Sequence, residues 1–253
     1  MNTNSQKSEE PDTNMLEFPG VPSFFFHAVF NRHGGISPPP WNSNNVSFGI
    51  GDTPGNVYTN RDQIKKYLGF RHLISARQIH GSRVYIVKEE PQNDLEVEGC
   101  DGLITTIQGI GLMIQQADCQ AVFLFDPTSK AIGLAHVGWR GTVADIIGKT
   151  IYAMSKAFST EAVNIKAIVS PSLGPCCAEF INYRKELPAA LHAYQVRPNY
   201  FDFWAISRDQ LCTAGVSPEN IQVAEICTCC NQDFFSFRRE RETGRFASVG
   251  GIK

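Results

Sequence analysis

Apolar positions along this chain follow two distinct periods. Bounded apolar runs at 24–30, 110–114, 121–125, 131–137 and 165–169 read as buried strands. A half-alternating stretch at 73–80, closed by Gly81, continues as another strand at 84–87, and 221–226 reads as a further one. Helical spacing predicts helices over 57–68, ended by Gly69, and over 142–158, where Val143, Ile146, Ile147, Thr150, Ile151, Met154 and Phe158 recur. Two more helical stretches are expected near 185–194 and 204–214, while 94–98 reads as an acidic loop. The sharpest junction is Ala131-Ile-Gly-Leu-Ala-His-Val-Gly-Trp-Arg-Gly141, where a strand ending in a histidine turns into a helix. Its glycines, Gly138 and Gly141, let the backbone come close to a ligand. The free N–H groups of a helix start favour an anion there, and Arg140 adds a forked cationic donor.

Composition narrows the class. The 253 residues are 42% apolar, enough for one large core, and no linker, repeat or charge block divides the chain after a polar, acid-rich start. Residues 1–17 therefore read as a disordered tail and 18–253 as a single mixed α/β (α+β) domain. A formal charge of −2 lacks the basic excess of a nucleic-acid binder, no run is long enough to span a bilayer, and the polar start lacks a signal-peptide core. Those absences predict a cytoplasmic protein with no nucleic-acid or membrane partner, whose eight cysteines stay reduced.

His80, Cys119 and His136 each fall at the boundary of an apolar strand, where α/β sheets present reactive groups. Two imidazoles and a thiolate suit zinc and leave a fourth tetrahedral position for water or substrate, the mark of a catalytic site. Their wide sequence separation leaves a rival open, in which Cys119 is a nucleophile with His136 or His80 as its base. Cys227, Cys229 and Cys230, with Cys212 nearby, and Cys176-Cys177 read as reduced thiols, with no second pair expected to complete a four-ligand set. Arg238, Arg239 and Arg245 form a basic cluster. Such arginines are mostly solvated or ion-paired, although a glycine-flanked one beside a pocket can bind phosphate.

Taken together, Arg77-Gln-Ile-His-Gly81, Asp101-Gly-Leu-Ile-Thr105, Ala117-Asp-Cys119, His136-Val-Gly-Trp-Arg-Gly141, Gly174-Pro-Cys-Cys-Ala-Glu179, Phe235-Ser-Phe-Arg-Arg239 and Thr243-Gly-Arg245 resemble the YfiH-like family, also called the laccase-domain or multicopper polyphenol oxidase family. The resemblance implies a single-domain four-layer α/β/β/α sandwich, grouped with cysteine hydrolases. It implies a metal, usually zinc with copper as the other candidate, held by His80, Cys119 and His136, which with Arg140 are also the expected catalytic residues. The activity it implies is phosphorolysis of adenosine, inosine and S-methyl-5′-thioadenosine, with adenosine deamination as a side activity. Purine nucleosides and phosphate are then the partners, and a homo-oligomer is compatible with it. Phosphorolysis needs an anion site, for which Arg140 is the first candidate, with Arg32, Arg77 and Arg238 in support. Other readings are a Cys/His hydrolase that edits peptidoglycan precursors, a copper-dependent polyphenol oxidase and a non-enzymatic scaffold. Six histidines, of which only His80, His136 and His33 are well situated, are too few for the several copper centres of a laccase. The sequence departs from the family at Pro38-Pro-Pro-Trp41, Asn44-Asn-Val-Ser47 and Cys229-Cys230.

Overall fold

The computed structural model describes residues 14–253. Strands β1 (Met15–Leu16) and β2 (Phe25–Phe30) precede helix α1 (Pro54–Leu68). Seven strands follow: β3 (His72–Arg77), β4 (Val84–Val87), β5 (Leu95–Glu98), β6 (Gly102–Thr105), β7 (Ile110–Gln116), β8 (Gln120–Asp126) and β9 (Ala131–Val137). Then come α2 (Trp139–Val143), α3 (Ile146–Phe158), β10 (Lys166–Val169), α4 (Tyr183–Glu186), β11 (Gln195–Arg197) and β12 (Tyr200–Phe201). The chain finishes with α5 (Phe203–Thr213), β13 (Ile221–Val223), α6 (Phe237–Glu240) and β14 (Phe246–Ile252).

Two six-stranded sheets result, ordered β1-β2-β14-β7-β3-β5 and β13-β10-β8-β9-β6-β4. Both mix parallel and antiparallel pairs. The alternation within β8 explains how they stack. Ala121, Phe123 and Phe125 point into a core shared with Phe25, Ile74, Leu112, Ile114 and Phe246 of the first sheet, while Val122 and Leu124 point the other way, onto α3 and α5. On its outer face the first sheet packs Ala28, Leu73, Met113 and Val249 against Ile64 and Leu68 of α1. Apolar residues on both faces turn the central strands into unbroken hydrophobic runs, which is why those strands were legible. The architecture is the expected four-layer α/β/β/α sandwich.

Several elements differ from the pattern-based expectation. The helix expected over 142–158 is two helices, because Asp145 takes up a left-handed φ of 53° and its side chain accepts from Gly148 N–H, starting α3 afresh. Pro188 interrupts the stretch near 185–194, leaving α4 and a 3-10 turn over Ala189–Tyr194. The acidic 94–98 segment is strand β5, since its parallel pairing with β3 requires only that Val97 face the core. Of the segment 1–17, residues 1–13 lie outside the described residues, and Met15–Leu16 pair with Phe30 and Val29. Among the described residues no helix is long and apolar enough to cross a membrane.

His27 on β2 sits between the sheets, only 6% exposed, against the rings of Phe123 and Phe125. Burial lowers its pKa to about 4, and its Nε2 accepts the Phe18 N–H at 2.8 Å, a bond that the protonated ring would lose. A depressed folded pKa means that the unfolded chain binds the proton first. The stabilisation is present above the unfolded value of about 6.5 and is lost as pH falls towards 4. Between pH 7 and pH 5 this group alone should remove on the order of 2 kcal/mol. Urea unfolding at the two pH values checks it: His27→Gln, which keeps an acceptor for Phe18, should flatten the difference, and an equal loss in that variant would refute the assignment.

Candidate metal site and cavity

The three sequence-predicted donors arrive from three different segments. Cys119 lies in the short connection by which the chain leaves β7 of one sheet and enters β8 of the other. His136 is on β9, opposite Ala121 of β8. His80 follows β3 in a loop that departs from the strand because His80 has a left-handed φ of 60°. Gln78 ties that loop to β7, donating to the Gln115 carbonyl at 2.7 Å and accepting from Gln115 N–H at 2.9 Å. The donor atoms of all three lie within 4.8 Å of one another, and the imidazole rings meet edge to face at 4.9 Å. Gly138 makes the approach possible, since a Cβ there would come within 3.0 Å of both Cys119 Sγ and the His80 ring.

Asp101, fully buried ahead of β6, organises the group. Its carboxylate accepts from the backbone N–H groups of His80 at 2.9 Å and Gly81 at 2.8 Å, and lies 2.9 Å from His136 Nδ1. One carboxylate thereby shapes the His80 loop and engages Nδ1 of His136, leaving Nε2 for a ligand. Burial alone would raise the Asp101 pKa, but the His136 hydrogen bond and those backbone donors hold it below the usual value. Burial likewise opposes ionisation of Cys119 and His136. It is outweighed by their attraction and hydrogen bond, with His80 and Asp101 assisting, so that the thiol falls to about 6 and the imidazole rises to about 9. A thiolate beside polarised imidazoles is a donor set ready for a soft divalent cation.

The site opens on a cavity of about 920 Å³, walled by Phe48, Tyr58, Trp139, Phe180, Phe203 and Phe237 among others, and by Arg77, Arg238 and Arg245. The expected anion binders divide. Arg77 and Arg238 line the cavity, but Arg77 pairs with Glu98 at 2.9 Å and Arg238 gives both terminal nitrogens to the carbonyls of Cys177 and Glu179. Arg140 is not among the lining residues and lies over the Trp139 ring at 4.3 Å. Arg32 is also outside, paired with Glu240 at 2.6 Å. The cation that faces the donors is Arg245. Its Nη1 donates to the carbonyls of Thr243 and Gly244, and among the described residues it has no carboxylate in ion-pair range. Burial lowers its pKa, opposed by the nearby charges of Cys119 and Asp118. The flanking glycine was its sequence signal, and for Asp101 it was a carboxylate at the mouth of an apolar strand.

A second group of donors lies behind the cavity wall. Cys176, Cys177, Cys227 and Cys230 have sulfurs within 4.8 Å of one another, which corrects the reading of these cysteines as having no second pair. Cys227-Thr-Cys-Cys230 is itself a C-x2-C spacing, and the fold brings Cys176-Cys177 to it.

Two packed mixed sheets with a His/Cys/His site where the chain crosses between them define an α/β/β/α protein whose candidate site opens on an aromatic-walled cavity. Residues 26–253 match the family described as multi-copper polyphenol oxidoreductase laccase, and the chain belongs to that family. The chain is 32% identical over 239 residues to purine nucleoside phosphorylase YlmD of Geobacillus stearothermophilus, covering 87% of each. It is also 32% identical over 253 residues to a purine nucleoside phosphorylase of Xylella fastidiosa, covering 94% and 96%. Among solved structures, YlmD of Geobacillus stearothermophilus aligns with a TM-score of 0.85 at 27% identity over 97% of this chain and 98% of that one. Bacillus licheniformis YfiH aligns at 0.82 and 26% identity, over 90% and 93%.

Proposed function

We propose that this protein is a zinc-dependent purine nucleoside phosphorylase that cleaves adenosine, inosine and S-methyl-5′-thioadenosine with phosphate, and that it also deaminates adenosine. The observation that carries the reading is the meeting of His80, Cys119 and His136 with the half-buried Arg245, which has no carboxylate in ion-pair range among the described residues, in one aromatic-walled cavity. Relatives bearing the phosphorylase name support it. A volume near 920 Å³ suits a nucleoside and an anion together.

The donors fit zinc: two imidazole nitrogens and one thiolate converge, His136 is oriented through Nδ1, and all three residues line the cavity. When bound, zinc supplies Lewis acidity and lowers the pKa of a coordinated water. The chain's own residues do the rest. Trp139 and Phe180, whose rings meet edge to face at 6.4 Å, offer apolar faces to a purine. Arg245 neutralises phosphate and holds an oxygen in line with C1′ of the sugar, and Arg238, whose terminal nitrogens stay on the Cys177 and Glu179 carbonyls, adds only its charge to the cavity. That oxygen bonds to C1′ as the glycosidic C–N bond breaks, and the base departs with the electron pair and takes up a proton from solvent water, to which the cavity is open. Asp101 keeps the His136 Nδ1 proton in place throughout.

The copper-oxidase reading has less behind it. Only His80 and His136 of the histidines line the cavity, and His33 is paired with Asp233 at 3.1 Å.

Incubating the purified protein with adenosine and phosphate, and resolving adenine from inosine and hypoxanthine by chromatography, tests both activities. Absence of all three products would refute the proposal. Arg245→Met should raise the KM for phosphate roughly 10- to 100-fold, the worth of a charge-assisted hydrogen-bonded contact, while leaving metal content unchanged. An unaltered phosphate KM would move the anion site elsewhere.

A further inference from the structure

We infer that Cys176, Cys177, Cys227 and Cys230 form a second, structural zinc site, separate from the His80/Cys119/His136 group. Cys176 Sγ and Cys177 Sγ lie 3.6 and 3.5 Å from Cys230 Sγ, and all four sulfurs fall within 4.8 Å of one another. Four thiolates about 2.3 Å from a tetrahedral zinc are about 3.8 Å apart, a spacing that the observed sulfur separations fit. All four are free cysteines. They come from two turns that the fold holds side by side through a bridge between Ser172 and Cys227. Chelation by the C-x2-C turn is the recurrent half of a structural zinc site, and Cys176-Cys177 supplies the other two donors.

The surroundings suit a tetrathiolate centre, which carries two negative charges in excess of the metal's. Gly174 N–H donates to Cys227 Sγ at 3.3 Å. Three guanidinium groups grip the same two turns by their carbonyls: Arg197 on Cys176 at 2.8 Å, Arg238 on Cys177 at 3.2 Å and Arg239 on Cys229 at 3.0 Å. They add positive charge while fixing the loop geometry. With four protein donors there is no open position for a substrate, so the role is structural. The site would staple the turn that leads to cavity residue Ala178 onto the turn that holds Thr228. Thr228 Oγ1 in turn donates to Asp118 Oδ1 at 2.8 Å, next to Cys119. Metal here braces the back of the cavity wall without touching the chemistry, and the inference stands whether or not the protein is a phosphorylase.

The test uses the full chain, purified under reducing conditions and equilibrated with zinc chloride. Wild type should bind about two zinc ions per chain. A Cys119→Ala/His136→Ala variant should keep one of them, with X-ray absorption showing an all-sulfur shell at about 2.3 Å. Cys177→Ser/Cys230→Ser should lose that ion and keep the one with mixed nitrogen and sulfur ligands. Should the serine variant fail to fold, the alanine variant still decides. A folded Cys119→Ala/His136→Ala protein that binds no zinc, or binds it with nitrogen or oxygen neighbours, overturns the inference. A mass two hydrogens lighter under denaturing conditions, with thiols of this cluster paired as a disulfide in the zinc-equilibrated protein, overturns it as well.

Discussion

Replacing Cys119 or His136 with alanine should empty the cavity site of metal and reduce phosphorolysis of adenosine at least about 1,000-fold, with the fold intact. The size follows from what is lost, since a metal's electrostatic stabilisation of a transition state is worth several kcal/mol and every 1.4 kcal/mol is tenfold in rate. Folding should survive Cys119→Ala because Cys119 lies in a connection, while His136→Ala, which leaves the buried Asp101 carboxylate without its imidazole partner, should fold at a cost in stability. Metal content and turnover have to be measured on the same sample. Iodoacetamide adds a second readout: a thiolate shared with zinc should react slowly, and faster after chelation. Rapid labelling of Cys119 in metal-loaded protein, with activity that survives the chelator, would instead favour a Cys/His nucleophilic mechanism.

Asp101→Asn should weaken metal binding at that site by roughly 10- to 100-fold, and cost on the order of 3 kcal/mol of stability. The substitution keeps the shape and removes the chemistry. Both carboxylate oxygens act only as acceptors, towards the N–H groups of Ile79, His80 and Gly81 and towards His136 Nδ1. An asparagine must turn its NH2 onto one of those donors and leave a fully buried repulsive contact. Competition with a chromophoric chelator measures the affinity, and urea denaturation the stability. A variant with wild-type zinc affinity would show that Asp101 shapes the loop without tuning the ligands.

Legibility in the sequence tracked burial. Strands β8 and β9 are apolar on both faces and bounded by turns, so pattern alone located them, and with them His136 and the neighbourhood of Cys119. Strand β14 carries no legible strand pattern although it lies between β2 and β7, because Ser248, Gly250 and Gly251 dilute its apolar signal. Gly251 is glycine for a tertiary reason, as a Cβ there would come within 2.4 Å of the Ile110 carbonyl oxygen. The anion-site residues were harder still. Arginines at corners look alike in sequence, and only the fold separates Arg245, aimed into the cavity, from Arg140, laid on Trp139. The four-thiol group needed two turns some 50 positions apart to be brought together, since Cys176 and Cys177 are 54 and 53 residues from Cys230.

The central position of β14 bears on how the protein is made. As the chain emerges from the ribosome, β2 and β7 appear long before the strand that joins them, and each carries an unpaired edge until Phe246–Ile252 arrives to fill the gap. Such waiting edges are where nascent chains meet one another, so yield in the cell should depend on translation speed and on chaperone supply. Cys119 lies three residues past the end of β7, so the connection that carries it starts from one of the two strands that wait for this late partner.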